Sequence, residues 1–313
     1  MEEKEMEEKE RTADTGVRKR PKVGEHLELK IEGLAFGGSG VTRAGSGVVV
    51  FVHGAVPGDR VEAVVTKRRR EWIEARTERL IESSEDRVAP RCAHFGNTGG
   101  LCGGCKWQNF DYGTQLRWKE RQVADHLQRI GGIASPPVEP IIGMERPWEY
   151  RNKMEYSFGT FADGRLKLGL HAAGSFERII HIDHCHLQTC KCNELRNEAL
   201  EFCRSRELSG HSIRRHEGLL RHLVVRTGGN DLMACIVTFG DGFEPDAADF
   251  AETLTSKFPE LKSLFWYSNV SMGNATLDGA RRLLAGDSHI TEEMAGVKLR
   301  ISPEAFAQTN PEQ

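Results

Sequence analysis

The residues with the clearest chemical character are eight cysteines, several of which are closely spaced. Cys102 and Cys105 enclose two glycines, so that two thiolates can bind one metal centre while the flexible backbone aims its N–H groups at sulfur. Cys92 lies upstream, with nine residues between it and Cys102, and is a candidate third ligand. Eight cysteines are too few for a disulfide scaffold in a chain of this length, so a metal centre is the favoured interpretation.

The spacing does not fix the fourth ligand or the metal. Three further thiols and two imidazoles are candidates, although histidines beside strands are more often polar surface. These candidates are Cys185, Cys190, Cys192, His184 and His186. Cys203 and Cys235 lie within a predicted helix and strand and are expected to be ordinary buried thiols. An all-thiolate site suits structural zinc as well as an iron–sulfur cluster, and chemistry alone slightly favours zinc.

Basic residues beside aromatic ones form a second candidate site. Lys67, Arg68, Arg69 and Arg70 lie next to Trp72, and such a patch can contact phosphates and stack a base. A solvated run of charge explains the same residues equally well.

Two predicted strands begin with polar groups of the same kind. Arg151, Asn152 and Lys153 follow a tyrosine at the start of one strand, and His222 lies near the start of another. Single-stranded RNA is recognised by this mixture of side chains, but an edge strand uses it too. The chain has no Walker loop, dinucleotide-binding glycine turn or serine nucleophile elbow.

The composition indicates a globular protein of about two domains. The chain has 313 residues, 38% of them apolar, and 43 basic residues against 46 acidic ones give a net charge of −3. This charge by itself gives no reason to expect a nucleic-acid partner. No apolar run approaches the roughly 20 residues of a membrane span, and the charged start is unlike a signal peptide. We therefore predict a cytoplasmic protein.

Short β-type segments, then mixed ones, must position these residues. A charged tail, predicted to be disordered, occupies 1–21, and glycine-punctuated strands at 27–31, 47–52, 60–66 and 72–80 predict a small barrel. Helical periodicity predicts a helix over 112–130. The remaining predictions are strands at 150–158, 166–171, 178–182, 219–226, 232–239, 263–268 and 297–301, helices at 193–207 and 246–258, and a helix or turn from Ser302. Hairpin turns at 172–175 and 227–231 favour an antiparallel α+β layer.

In this order the features resemble those of the RNA (uracil-5-)-methyltransferase family, in particular the branch that modifies 23S ribosomal RNA. The turns at 33–40 (GLAFGGSG) and 56–59 (VPGD) are similar to those of its TRAM domain, a five-stranded oligonucleotide-binding barrel. Residues 102–108 (CGGCKWQ) resemble its CGGCxxQ box. Residues 150–153 (YRNK) and 220–226 (LRHLVVR) resemble two strands of its central domain.

The resemblance implies a cofactor and a domain order. A [4Fe-4S] cluster would be bound by Cys92, Cys102, Cys105 and Cys185, which reverses the preference for zinc. The family more commonly has five residues between the first two cluster cysteines, so Cys92 departs from its pattern. The implied domains are an OB-like TRAM β barrel over 22–82, an α+β central domain with antiparallel sheet and cluster over 83–296, and the start of a Rossmann-like methyltransferase domain over 297–313.

The resemblance also implies RNA, 23S rRNA in particular, as partner and S-adenosylmethionine as methyl donor. Gln308, in a motif over 302–310, is the expected cofactor contact. The expected RNA contacts are Lys67, Arg68, Arg69, Arg70, Arg151, Asn152, Lys153, His222 and Phe306. The family's cysteine nucleophile and base follow this motif, and none of the eight cysteines matches that nucleophile. We therefore expect a chain that binds RNA and cluster without methylating alone; the alternative is a non-catalytic RNA-binding protein with an iron–sulfur or zinc centre.

Overall fold

A computed structural model describes residues 19–96, 100–271, 273 and 276–313. Most of the predicted charged tail, residues 1–18, lies outside the described residues. The chain forms two compact units. The first unit comprises the described residues up to Ala89 together with Asn109–Ile141, and the second comprises Pro90–Gln108 and Ile142–Gln313. Residues 109–141, which follow the predicted boundary at residue 82, thus belong to the first unit.

The first unit is built on a six-stranded sheet with β1 and β2 at its two ends, in the order β1-β5-β6-β4-β3-β2. Its strands are β1 (His26–Lys30), β2 (Gly33–Leu34), β3 (Gly40–Arg43), β4 (Val49–His53), β5 (Arg60–Arg68) and β6 (Trp72–Glu82). Alternate residues point inward, as in strands with one buried face, and the core includes Val50, Val61 and Ile73. The four predicted strands are confirmed, and the two short strands β2 and β3 were not predicted.

A buried carboxylate secures the turns of this unit. Asp59, fully buried, accepts hydrogen bonds from the backbone N–H groups of Val56 at 2.8 Å and Ser84 at 3.0 Å, and it pairs with Arg87. Helix α1 (Tyr112–Arg129) is confirmed, and its cap residue Asp111 accepts a hydrogen bond from the backbone of the first turn.

The second unit contains a seven-stranded sheet in the order β13-β12-β11-β10-β7-β8-β9, with a separate hairpin of β14 and β15. Its strands are β7 (Lys153–Thr160), β8 (Leu166–His171), β9 (Ile179–His181), β10 (Leu220–Gly228), β11 (Asp231–Thr238), β12 (Leu261–Ser268), β13 (Ala280–Gly286), β14 (Ile290–Met294) and β15 (Val297–Ile301). Helices α2 (Cys190–Ser205) and α3 (Ala247–Lys257) pack on one face through a core that includes Leu195, Leu223, Phe250 and Leu254.

The sheet differs from the predicted antiparallel layer in two respects. Strands β11 and β12 are parallel, because the chain crosses between them through a 3₁₀ turn and α3 instead of a hairpin. Strands β13 and β14 were not predicted, since β13 is largely exposed and lacks an apolar alternation. A turn, not a helix, follows Ser302. Among the described residues, the helices are all too short or too polar to span a bilayer.

Candidate functional site

The second unit contains a cavity of about 880 Å³ that brings predicted metal ligands and predicted RNA contacts together. One part of its wall holds sulfur, another holds cations and a third holds an exposed aromatic ring. The predicted residues lining it are Cys92, Cys102, Cys105, Cys185, Arg151, Lys153 and Phe306. These residues are separated by up to 214 positions in the sequence, so only the fold can gather them.

The turn that carries Cys102 is held against the hairpin between β8 and β9. The N–H of Gly103 donates to the carbonyl of His171 at 3.0 Å, and the N–H of Ala173 donates to the carbonyl of Leu101 at 3.0 Å. A side chain at Gly103 would lie 3.0 Å from the Cα of Ala173, so the close approach requires glycine. The N–H of Gly104 points at Cys102 Sγ at 3.4 Å, as the glycine spacing predicted.

The side chain of Asn193 in the first turn of α2 fixes the backbone of Cys185. Its Oδ1 accepts from the Cys185 N–H at 2.7 Å, and its Nδ2 donates to the Cys185 carbonyl at 3.1 Å. The same Nδ2 reaches the carbonyl of Thr189, the N-cap of the helix, at 2.9 Å. Burying a polar side chain is favourable only when its groups are satisfied, and Asn193 satisfies them by ordering this loop.

Gln108 connects the other two thiols. Its Oε1 accepts from the N–H of Cys92 at 3.1 Å, and its side chain also hydrogen-bonds the thiol of Cys105. Cys92 Sγ lies 3.8 Å from Nδ1 of His94, whose Nε2 lies 3.4 Å from a carboxylate oxygen of Asp183. The four sulfur-bearing residues are therefore positioned by neighbours outside the CxxC spacing itself.

The thiols influence one another electrostatically. Burial raises the pKa of Cys92, Cys102 and Cys105, and the nearby thiol of Cys185 adds to the increase in each case because two thiolates repel. Four thiolates in this cavity would therefore need a compensating positive centre, which is the condition for metal binding.

The described part of the chain does not form a site for a single ion. Among the described residues, no group of three or more His, Cys, Asp or Glu side chains could hold one metal ion. A mononuclear zinc site, the alternative that the spacing left open, is therefore not found in this part of the chain. His184 and His186 line the same cavity but pack on each other, with ring centroids 4.6 Å apart.

The predicted RNA contacts of the second unit occupy three different environments. Arg151 and Lys153 line the cavity. Asn152 is only 3% exposed, and its Nδ2 donates to the carbonyl of Gln308 at 3.0 Å. Asn152 is thus placed to hold the backbone near Gln308, whereas its neighbours face the cavity.

His222 lies mostly buried behind the cavity wall. Its Nδ1 is 3.1 Å from the hydroxyl of Ser157, which is also 3.4 Å from Nε2 of His171, a residue of the cavity wall. Burial, together with the charge of Arg221, lowers the pKa of His222 to about 4. His222 is therefore neutral at physiological pH and carries no charge with which to attract a phosphate.

Phe306 and Gln308 are exposed on one segment, residues 302–309, which begins with a turn. Phe306 is 87% exposed and still lines the cavity. An exposed aromatic ring at a cavity suits the stacking of a base.

The predicted basic run lies in the first unit, where β5 turns into β6. Arg68, Arg69 and Arg70 are exposed. Lys67 differs from them, because its Nζ lies 5.3 Å from the ring centre of Trp72 and 3.3 Å from a carboxylate oxygen of Glu74. Three of the four predicted cations are thus free of such contacts with Trp72 and Glu74.

Sequence reasoning missed several residues of the second unit's site. His171, Glu155 and Phe176 line the cavity, and Gln108 and Asn193 position the thiols. Gln108 carried a signal, since it belongs to the CGGCKWQ stretch. Asn193 carried a weaker one, because asparagine in the first turn of a helix can hydrogen-bond preceding backbone.

Comparison with known proteins assigns the first unit and relates the whole chain to a group of enzymes. A family model described as TRAM domain matches residues 20–76, which confirms the TRAM domain expected from the glycine-rich turns. An uncharacterized RNA methyltransferase of Halalkalibacterium halodurans is 34% identical over 289 residues, covering 92% of this chain and 61% of that protein. One of Chlorobaculum tepidum is 34% identical over 313 residues, covering 94% of this chain and 64% of that protein.

A solved structure shows the same fold. The tRNA (uracil-54, C5)-methyltransferase of Pyrococcus abyssi, in complex with S-adenosyl-L-homocysteine, matches 91% of this chain and 62% of its own with a TM-score of 0.67 and 24% identity. The chain thus spans about three fifths of the length of the proteins it matches.

Proposed function

Since the chain has a TRAM domain and is a relative of RNA methyltransferases, we propose that it is the RNA-binding part of an S-adenosylmethionine-dependent enzyme that methylates carbon 5 of a uridine. We assign 23S rRNA as its substrate and the cytoplasm as its location. The observation that carries the proposal is the cavity of the second unit, where Arg151 and Lys153 share a wall with the exposed Phe306.

The cavity is chemically suited to a nucleotide extruded from folded RNA. Its volume of about 880 Å³ lies within the usual range for small-ligand pockets. Arg151 supplies a cation for phosphates, Lys153 adds a second that pairs with Glu155 at 2.8 Å, and Phe306 supplies a ring on which a base can stack. Enzymes that modify a base within folded RNA must first take it out of its stack, so a cavity with these groups fits that task.

Methylation of uracil at carbon 5 needs a thiolate as well as a methyl donor. Addition of the thiolate to carbon 6 makes an enolate, which accepts the methyl group at carbon 5; a base then removes the carbon-5 proton and the thiolate leaves. S-adenosylmethionine supplies the methyl group, and Gln308 is the residue that we assign to it in this chain.

The four cysteines outside the cavity are poorly suited to be that nucleophile. Cys190 is exposed but does not line the cavity. Burial raises the pKa of Cys192 to about 11 and raises the pKa of Cys203 and Cys235 as well. Such thiols remain protonated at neutral pH and are inert. We therefore propose that methyl transfer requires the part of the relatives that this sequence does not span.

We further propose that Cys92, Cys102, Cys105 and Cys185 hold a [4Fe-4S] cluster. In such a cluster each thiolate binds a different iron, so the four sulfurs stand farther apart than ligands of one ion. The four thiols that line one cavity are the observation that supports this assignment. The cluster would tie the segment around Cys102 to the loop of Cys185 and thereby shape the RNA-facing surface.

RNA binding tests the proposal directly. We expect Phe306→Ala to weaken binding of an unmodified 23S rRNA transcript by about tenfold, because a base can no longer stack on the ring. Arg151→Gln with Lys153→Gln should weaken binding and reduce its dependence on salt. Filter binding at several salt concentrations measures both effects, with tRNA transcripts as competitors.

The matched control removes two cations of the second unit that do not line the cavity. Lys257 at the end of α3 and Lys262 on β12 are exposed, and their double replacement by Gln changes the net charge equally. This control should bind as the wild type does. Equal affinity of wild type, Phe306→Ala and the Arg151/Lys153 variant would contradict RNA binding at the cavity, and preference for the tRNA competitors would contradict the 23S assignment.

A further inference from the structure

The 302–309 segment is held on the second unit by the side chain of Glu304, which bonds Tyr267 and Arg281, and by several of its backbone carbonyls. Nη1 of Arg226 donates to the carbonyl of Ala305 at 2.8 Å and to that of Ser302 at 3.3 Å. Near the other end, the backbone N–H of Asn152 donates to the carbonyl of Thr309 at 2.9 Å, and its side chain donates to that of Gln308 at 3.0 Å. Arg226 on β10 and Asn152 just before β7 thus bind four carbonyl groups of the segment. Three of these bonds come from their side chains and one from the backbone N–H of Asn152.

The segment alternates between an outward and an inward face. Glu304, Phe306 and Gln308 are exposed, whereas Ala305 and Ala307 are half-buried and pack against the core beneath β10 to β12. Alanine buries little apolar surface, so these two side chains fix the register of the segment only weakly. From Ala305 to Gln308 half-buried and exposed residues alternate, so a shift by one residue would exchange the two faces. Pro303 and Glu304 hold the start of the segment, whereas the carbonyl bonds to Arg226 and Asn152 hold the part around Phe306.

Arg226 is an unusual residue for this purpose. It is 1% exposed, and among the described residues no carboxylate lies within ion-pair distance of it, Glu292 acting only from farther away. Its Nε and Nη2 are buried without a hydrogen-bond partner. A buried unpaired cation is costly, and an apolar residue of similar size often gives equal or better stability. Stability alone therefore does not explain an arginine at this position. The hydrogen bonds to the carbonyls of Ser302 and Ala305 do explain it.

We propose that Arg226 and Asn152 are positioning residues that set Phe306 in register at the cavity. The inference rests on the proposed RNA-binding function, because it assigns the residues that make Phe306 available to RNA. Neither Arg226 nor Asn152 needs to touch RNA for this role, which agrees with their burial. Their effect passes through the backbone of the 302–309 segment.

A double-mutant cycle tests the proposal with the 23S rRNA transcript as probe. Arg226→Met should weaken binding by about tenfold, as Phe306→Ala does, and the combined variant should bind no more weakly than either single variant, because all three remove the same stacking interaction. Asn152→Ala should show the same non-additivity. The midpoint of urea unfolding of Arg226→Met should stay close to that of the wild type.

The same strand provides a matched control. Arg221 is 8% exposed and donates to the carbonyls of Asn269 at 2.9 Å and Ser271 at 2.8 Å, but neither of these two residues lines the cavity. Any effect of Arg221→Met on binding should add to that of Phe306→Ala. The inference would be overturned if the effects of Arg226→Met and of Asn152→Ala each added to that of Phe306→Ala. It would also be overturned if both variants bound RNA as the wild type does.

Two further measurements distinguish failure of this inference from failure of the proposed RNA-binding function and from misfolding of a variant. If Phe306→Ala binds RNA as the wild type does, the proposed function fails, and the cycle is then read from a Phe306→Trp reporter instead. Its emission and its quenching by acrylamide should change when Arg226→Met is added and stay constant with Arg221→Met; a constant signal in both would overturn the inference. If Arg226→Met does not fold, Asn152→Ala and Arg226→Lys carry the same two tests.

Discussion

Two groups of arginines, one group in each unit, are held in opposite ways. On the first unit, Arg60 and Arg79 lie on the surface and pair with glutamates across the sheet, and Arg68 to Arg70 are exposed. In the second unit, Arg196, Arg221 and Arg226 are 1 to 8% exposed and donate to backbone carbonyls. Cations on the surface act over distance and are screened by salt, whereas buried cations act through the geometry of the groups that they grip.

This difference separates two contributions to RNA binding. Affinity that depends on salt should come mainly from exposed cations, those of the first unit included, because it arises from release of counterions by phosphate contacts. The position of the bound RNA should come from the second unit, where buried side chains order the loops and the 302–309 segment around the cavity.

The largest expected effect follows from removing a cavity thiol, which affects only the second unit. Cys105→Ser should lose bound iron and brown absorbance when purified without oxygen, because the cluster then lacks one of four ligands. Protease cleavage should appear in the second unit, while peptides of the first unit remain protected. Iron and sulfide analysis, with mass spectrometry of the cleavage products, measures both.

Cys190→Ser is the control for this experiment. Cys190 is exposed and lies outside the cavity, so its replacement should leave iron content and protease resistance unchanged. The cluster would be refuted if the wild-type protein contained no iron and if its resistance to protease equalled that of Cys105→Ser.

The residue types of the site could be predicted from sequence, but their partners could not. The CGGCKWQ stretch indicated thiol ligands, and the structure places Cys185 at the same cavity, 80 positions from Cys105. Asn152 was predicted to contact RNA from its place in a polar strand start. It is buried because the carbonyl groups of Gln308 and Thr309, over 150 positions away, accept its hydrogen bonds.

The strands and helices could likewise be predicted only where a local sequence pattern specifies them. Regular periodicity predicted the bounds of α1 and β8 closely. The alternation of β8 matches its burial, whereas Val123 and Leu127 on the apolar stripe of α1 are exposed. Strand β13 has no such pattern, because its residues are mostly exposed and it exists through pairing with β12. Local pattern predicts elements, whereas pairing between distant segments decides which side chains meet.

A smaller effect should distinguish the units by pH. The pKa of His222 is lowered to about 4 in the folded state by burial and by Arg221, against about 6.5 when unfolded. The unfolded chain therefore binds the proton more readily, so the second unit is fully stabilised above about pH 6.5 and loses stability as the pH falls toward 4. The loss should be at most about 3 kcal/mol.

Pulse proteolysis in urea at pH 7.5, 6 and 5 checks this, with fragments assigned to each unit. His222→Gln keeps a side chain able to hydrogen-bond Ser157 and cannot titrate, so it should flatten the decline in the second unit. An equal decline in wild type and His222→Gln would show that other groups cause the pH dependence.

The smallest expected effect tests whether the exposed cations of the first unit contact RNA or only contribute charge. Replacing Arg68, Arg69 and Arg70 by Gln should weaken binding of the 23S rRNA transcript by about tenfold at moderate salt. It should also reduce the slope of log affinity against log salt by about 2, near 0.7 for each phosphate that is no longer neutralised.

The matched control replaces Arg60, Arg76 and Arg79, which already pair with glutamates on the same unit. Both triple variants change the net charge equally, so a field effect predicts equal reductions in slope. We expect the control to reduce the slope less than a third as much, because a cation already paired with a carboxylate releases few counterions when RNA binds. Equal slopes would assign the basic run to general attraction, and RNA contact would then rest on the second unit alone.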